Sequence, residues 1–295
     1  MLGNPSSLLA LLLGSLLFVD PAASAPRFAL SPYANLTRIA TLPAFLSRRL
    51  VVIGDVHGCL DELNLLLAEI QYNPSVDHLI FTGDLLAKGP KSIEVIRRVK
   101  ELGASCVRGN HDDRVIRWRG YLNQMEREDG RRFGEYVDLT EVPEEFREPL
   151  MSEHRELARA LSDTEYEFLV SCPLILRIPE FNTVVVHAGL DPSIPTTELE
   201  DQDPHDVMYM RNIYQGQPRT NKKKGQHWGK VWNEVQRRRR FPLNVWYGHD
   251  AGRGLMMLPF SVGADTGCVY GRELTAITIP DREMFSVKCA TYAEK

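Results

Sequence analysis

The sequence predicts a layered α/β domain, and three observations carry that expectation. From residue 50 onward, short apolar or β-branched runs alternate with segments of helical periodicity, the pattern of strands packed against helices. Nearly every early run ends on an aspartate, asparagine or histidine beside glycine, as expected where strands deliver side chains to the carboxyl edge of a sheet. With 295 residues, 43% of them hydrophobic, the chain suffices for one large domain with a substantial core.

At the N-terminus, "LLALLLGSLLFV" (Leu8 to Val19) has the length of a signal-peptide core and precedes "AASA" (Ala22 to Ala25), although no Lys or Arg stands before it. Residues 1–25 are therefore expected to be a cleaved signal peptide or a retained N-terminal membrane anchor, and 26–48 a linker. The folded domain is expected over 49–290. Entry into the secretory pathway follows, and the sequon "NLT" at Asn35 fits that route. No later apolar run approaches the twenty residues of a membrane span.

Strands are expected at Leu50–Ile53, His78–Thr82, Ser105–Arg108, Thr183–Val186, Asn244–Tyr247 and Leu274–Ile279. Between the first two, Leu60, Leu63, Leu67 and Ile70 recur at helical spacing; between the next two, "SIEVIRRVKEL" does so through Ile93, Ile96 and Leu102. Residues 114–169, rich in Glu and Arg, read as a helical surface insertion whose last helix is capped by Ser162 or Asp163. Asp191 to Asn221, with Pro192, Pro195, Pro204 and Pro218, reads as loop. Trp228 and Trp232 lie four apart and share a helix face, where core packing is weighed against stacking on a nucleobase.

The formal net charge of −4 argues against general or sequence-specific nucleic-acid binding, so any polyanion site must be local. Two basic runs, Lys222–Lys224 and Arg237–Arg240, are either solvated faces or a cationic rim that steers a polyanion. Five cysteines, odd in number and without CxxC spacing, read as buried thiols; the alternative, for an exported chain, pairs Cys268 with Cys289.

The chemistry concentrates at the strand ends. In order they are "GDVHG" (Asp55, His57), "GDLLAKGP" (Asp84), "RGNHDD" (Asn110, His111), "VHAGL" (His187) and "YGHDAG" (His249). Any one of these motifs alone is a common turn. Five in order, each after an apolar strand, would bring carboxylates, an amide and histidines to one sheet edge. Mixed nitrogen and oxygen donors suit Zn, Mn, Fe or Co better than calcium or structural zinc. Two such ions sharing a carboxylate would hold a hydroxide and clamp phosphate oxygens for in-line displacement. His78, His154, His205 and His227 lack the strand-end glycine context and read as ordinary.

This ordered set, over roughly residues 50–280, resembles the calcineurin-like metallophosphoesterases. Within them "GDLLAKGPKSIEVIRRVKELG", "VWYGHDAGRGL" and "ADTGCVYGRELTA" resemble the ApaH-like phosphatases, among them the fungal zinc-dependent vacuolar endopolyphosphatase. The resemblance implies a sandwich of mixed β-sheets flanked by helices, with the helical insertion at 114–169. It implies two divalent transition metal ions, the first held by Asp55, His57 and Asp84, with Asp84 bridging to a second held by Asn110, His187 and His249. His111 stands where the family has its proton donor. Lys88, Arg108 and Arg253 stand where phosphate would be held, Lys88 replacing the arginine of the protein phosphatases and Arg108 having an equal alternative as a structural ion-pair partner. Ala87 replaces the aspartate that supports the family's catalytic histidine, and Asp112 or Asp113 is the candidate substitute. The expected activity is hydrolysis of phosphoanhydride or phosphoester bonds. Endopolyphosphatase action in a vacuolar lumen or outside the cell comes first, then a phosphatase of dinucleoside polyphosphates or capped RNA, then a protein serine/threonine phosphatase.

Overall fold

The run Leu50–Ile53 is buried on both of its faces, and the architecture follows from what covers each face. A computed structural model describes residues 36–43, 48–129 and 153–294. The leader, the Asn35 sequon and most of the expected linker lie outside the described residues, as does the middle of the expected insertion. In the first half of the chain, the elements are β1 (Ile39–Thr41), β2 (Arg49–Ile53), α1 (Leu60–Glu69), β3 (Asp77–Phe81), α2 (Ser92–Glu101), β4 (Ser105–Cys106) and α3 (Asn110–Asp129). Next come α4 (Glu153–Ala160), α5 (Asp163–Ser171), β5 (Ile175–Ile178), β6 (Thr183–Val186), α6 (Pro204–Tyr209), β7 (Asn212–Tyr214), β8 (Gln217–Arg219) and β9 (Gln226–His227). The chain closes with α7 (Trp228–Gln236), β10 (Asn244–Tyr247), β11 (Met256–Leu258), β12 (Ser261–Gly263), β13 (Glu273–Ile279) and β14 (Met284–Lys288).

Two mixed sheets result, ordered β1-β5-β6-β10-β12-β11 and β14-β13-β2-β3-β4, with a small β8-β7-β9 sheet beside them. Because strand side chains alternate between faces, Leu50 and Val52 of β2 point one way and Val51 and Ile53 the other. The first pair meets Leu176, Val185, Trp246 and Val262 of the facing sheet in one core. The second pair packs with Leu63, Leu66, Val95, Val99 and Val115 of α1, α2 and α3. On the far side, Val184, Val186 and Val245 pack under Trp228 and Trp232 of α7. The layers are therefore helix, sheet, sheet, helix, and strands covered on both sides need continuous apolar runs. Each aliphatic side chain so buried contributes about 1.5–3 kcal/mol. Both tryptophans are 1% exposed, so packing and not base stacking is their role.

Strand boundaries expected from sequence differ by no more than one residue at either end, except that β4 stops two residues early, at Cys106. Val107 and Arg108 continue only through single bonds to the carbonyls of Phe81 and Pro173. The helix α3 begins at Asn110, inside the "GNHD" motif, so residues from 114 extend a helix of the sheet layer instead of opening an insertion. Ser162 caps α5 with a capping box, its hydroxyl accepting from the Glu165 amide while Glu165 accepts from the Ser162 amide. Within the segment read as loop, Asp203 caps α6 with Pro204 in its first turn, where the missing N–H costs nothing, and β7 and β8 form a hairpin. Proline there marks a helix start, not an absence of structure.

The buried-thiol reading of the cysteines is corrected, and the alternative pairing of Cys268 with Cys289 holds. Cys106 is bonded to Cys172 and Cys268 to Cys289, leaving Cys59 as a buried free thiol. The first bond ties the end of β4 to the end of α5 across 66 residues of sequence. Denatured without reductant, the chain should therefore take up label at Cys59 alone, and at all five cysteines after reduction, as read by mass spectrometry. Replacing the first pair with C106S/C172S should cost about 2–4 kcal/mol in urea unfolding.

Candidate active site

The strand-end residues reach the site on a backbone bent against ordinary preference. His57, Asp84, Ala87, Lys88 and His249 all have φ between 47° and 71°, the left-handed region. Each such non-glycine residue costs about 1–2 kcal/mol, which the surrounding structure must supply. It does so through buried main-chain bonds, from the His57 amide to the Asp84 carbonyl (2.8 Å) and from the Gly58 amide to the Leu85 carbonyl (2.9 Å). Gly109 and Gly248 permit close approach: a Cβ on the first would strike the Asp84 backbone and carboxylate, and one on the second the Asp55 carboxylate.

The sequence-predicted donors converge. Asp84 Oδ2 lies 3.5 Å from His57 Nε2 and 3.4 Å from His187 Nε2, and His187 Nε2 lies 3.0 Å from Asn110 Oδ1. Asp55 accepts from the His249 amide (3.1 and 3.0 Å) and from the Thr82 hydroxyl (3.2 Å). Carbonyl oxygens fix the tautomers. His57 Nδ1 donates to Leu86 O (2.9 Å), His187 Nδ1 to Thr82 O (2.7 Å) and His249 Nε2 to Tyr209 O (3.2 Å). The opposite nitrogen of each ring is left for the site, an arrangement typical of metal-binding imidazoles.

Burial sets the electrostatics. Desolvation pushes the Asp55 carboxyl well above the carboxylate range, and the neighbouring Asp265 and Asp84 charges push it further. Burial also raises Asp265. Burial would raise Asp84 too, but the His187 and His111 rings hold it well below the usual range. Burial lowers His57 to about 4 and, with His187 beside it, drives His249 well down, so both present neutral rings with lone pairs. His187 goes the other way: burial opposes its charge, yet Asp84 raises it to about 9.

These donors fit divalent cations. Donor atoms of His57, Asp84 and His111, and likewise of Asp84, His187 and His249, lie within 4.8 Å of one another, so Asp84 belongs to both groups. Cationic groups already answer the lone pairs: the Lys88 ammonium stands 3.0 Å from His57 Nε2 and the raised His187 faces Asp84. Imidazole with carboxylate and amide oxygen suits Mn, Fe, Co or Zn.

The donors open onto a cleft of about 370 Å³. Lys88 lines it, as expected, and so does His111. Three other candidates are engaged within the fold, and for Arg108 the ion-pair alternative holds. Arg108 is 1% exposed, paired with Asp113 at 3.5 Å and donating to the Val170 carbonyl, so it braces α3 against α5 and is not among the residues lining the cleft. Asp112 accepts from the amides of Leu85, Leu86 and Gly109, which pins the Asp84 loop to the start of α3, and burial with Asp84 nearby raises it to about 7. Neither Asp112 nor Asp113 supplies the His111 partner. Arg253 is engaged by the carboxylate of Asp250 and by Asn212 Oδ1 (2.6 Å) and is likewise absent from the lining. Of the basic runs, Lys222 lines the cleft with its ammonium paired to the Asp250 carboxylate, whereas Arg239 donates to Thr196 and Arg240 lies over Phe241.

Sequence reasoning missed three residues. Asp265 lines the cleft just beyond β12, a strand too short to show alternation. Arg211 lines it after α6, braced by the Thr220 carbonyl at 3.0 Å, in the segment read as loop. His154, read as ordinary, sits on α4 with Nε2 2.8 Å from His111 Nδ1.

Comparison with known proteins agrees with this geometry. The chain is 27% identical over 290 residues to a symmetrical bis(5'-nucleosyl)-tetraphosphatase of Actinobacillus pleuropneumoniae, covering 80% of this chain and 97% of that one. It is 30% identical over 267 residues to the protein of that name from Tolumonas auensis, covering 82% and 97%. A crystal structure whose assignment as a diadenosine tetraphosphatase is itself provisional superposes with a TM-score of 0.68 at 31% identity, over 86% of this chain and 99% of that one. A serine/threonine phosphatase of Saccharomyces cerevisiae, at 14% identity, TM-score 0.51 and coverage of 88% and 85%, shares the fold alone. A model of the calcineurin-like phosphoesterases matches residues 48–262, and the chain belongs to that family.

Proposed function

We propose that this metallophosphoesterase hydrolyses dinucleoside polyphosphates, cutting a tetraphosphate bridge at its centre to leave two nucleoside diphosphates. The observation that carries the reading is the union, in one cleft, of the Asp84-centred donor groups with the cations Lys88, Arg211 and Lys222. A row of linked phosphates needs several positive groups spread along it, not one. The relatives' names, which specify symmetrical tetraphosphatases, select the nucleotide. The family uses two divalent metals. Here Asp55, His57 and Asp84 would hold one, and Asp84, Asn110, His187 and His249 the other. When bound, such ions polarise the phosphoryl oxygens and lower the pKa of water.

The chain's own groups do the rest. Lys88 and the forked guanidinium of Arg211 hold non-bridging oxygens and offset charge that builds on them. Lys222 holds phosphate further along the bridge. Water oxygen bonds to phosphorus as the bridging P–O bond breaks; His111 donates a hydrogen bond to the departing oxygen, which leaves as the nucleoside diphosphate anion, and the proton lost by water goes to solvent.

Endopolyphosphatase action is the second reading, favoured by one observation. Trp228 and Trp232 are in the core, and Tyr270 is the one aromatic ring other than histidine lining the cleft among the described residues, so cations outnumber surfaces for a base. For place, the apolar leader supports a secretory route, vacuolar or extracellular, and two disulfides support an oxidising compartment.

Incubation with diadenosine tetraphosphate and Mn or Zn, resolved by ion-exchange chromatography, should yield ADP alone and stop with chelator. Shortening of long-chain polyphosphate with the dinucleotide untouched would replace the first reading by the second. Lys88→Ala should lower kcat/KM about 10²-fold or more, the scale for removing one group that stabilises developing charge. Metal binding should also release a proton. His187, raised to about 9, carries one at pH 7 and must lose it to act as a ligand, so affinity should climb with pH until about 9. Calorimetry of the metal-free protein in buffers of different ionisation heat should show that release; pH-independent affinity would remove His187 from the ligand set.

A further inference from the structure

We propose that His154 is the positioning residue for His111, taking by another route the place left by Ala87. The inference rests on the reading of His111 as proton donor. His111 opens α3 and His154 lies in the first turn of α4, 43 residues later. Their rings are joined by a hydrogen bond of 2.8 Å between His111 Nδ1 and His154 Nε2 and lie edge to edge and nearly coplanar, with centroids 5.0 Å apart and planes 22° apart. Helix α4 is anchored at the same point, because Glu153 accepts from the Lys88 amide at 2.6 Å. Two consecutive residues of α4 therefore grip two of the candidate groups that touch phosphate, Lys88 and His111.

The consequence is geometric. A ring held through Nδ1 keeps Nε2 as the nitrogen turned to the cleft that His111 lines. If His154 donates, the proton of a neutral His111 is placed on Nε2, from where it donates a hydrogen bond to the departing oxygen. An aspartate in the Ala87 position would act differently, since a carboxylate accepts only and favours the charged ring. Neither Asp112 nor Asp113 competes for the task, as their carboxylates are committed to backbone amides and to Arg108.

Three substitutions separate this role from packing: His154→Ala removes ring and bond, His154→Phe keeps a ring without the nitrogen, and His154→Gln keeps a polar group of similar reach. Turnover is measured on phosphate esters with good and poor leaving groups, beside His111→Ala as reference. With the poor leaving group, Ala and Phe should lose about 10- to 100-fold in kcat with KM within about twofold, the scale of a misplaced catalytic group. The loss should be smaller with the good leaving group, and Gln should regain most of it. In the metal-free protein, nitrogen NMR should show His111 changing tautomer or becoming mixed in Ala and Phe but not in Gln. Rescue by Phe, or equal losses on both substrates, would overturn the proposal and make His154 a packing residue. If His111→Ala itself does not discriminate between leaving groups, the proton-donor reading falls and this proposal with it; if only the His154 variants fail to discriminate, this proposal falls alone.

Discussion

Asp55, Asp84 and Asp265 hold three carboxylates, each no more than 4% exposed, in one small region, and like charges so placed require positive charge beside them. Much of the local architecture answers that requirement. His187 is held charged by Asp84, the Lys88 ammonium reaches to His57, and the backbone amides of His249, His111 and Gly267 point at the carboxylates of Asp55, Asp84 and Asp265. The bent backbone that achieves this is costly for each non-glycine residue, and it persists because the main-chain bonds around it leave no relaxed alternative.

The two sheets make the arrangement rigid. Asp55, Asp84 and Asn110 follow β2, β3 and the residues beyond β4 in one sheet, while His187 and His249 follow β6 and β10 in the other. The core between them, with Leu50, Val52, Val185, Trp246 and Val262, therefore does more than stabilise the fold. It sets the distance between one half of the donor set and the other, and close packing gives that distance little room to vary.

Much of this was legible in the sequence because each donor follows a buried strand and a glycine, a pattern that a turn alone does not repeat in order. Asp55, His57, Asp84, Asn110, His187 and His249 were found that way. What escaped has physical reasons. Asp265 follows a three-residue strand, too short for periodicity. Arg211 follows a helix opened by Pro204, which reads as a break. Arg108 looked like a substrate contact because it precedes the motif, but β4 ends early and its side chain enters the helix layer. His154 carries no local signal, since its meaning comes from a contact across 43 residues of chain. Of the disulfides, Cys268–Cys289 was the stated alternative and Cys106–Cys172 escaped, because spacing does not encode pairing.

The bond between the His249 amide and Asp55 joins positions 194 residues apart. A chain made from its N-terminus exposes Asp55, His57 and Asp84 long before residue 249 exists, and contacts this distant form slowly because much of the chain must close around them. The early fragment has repelling carboxylates without the amides and rings that hold them in place. Any cation that this donor set retains is therefore acquired late in biogenesis, after the second sheet has docked, and a chain cut short before β10 carries only part of a chelate, with no means of closing it.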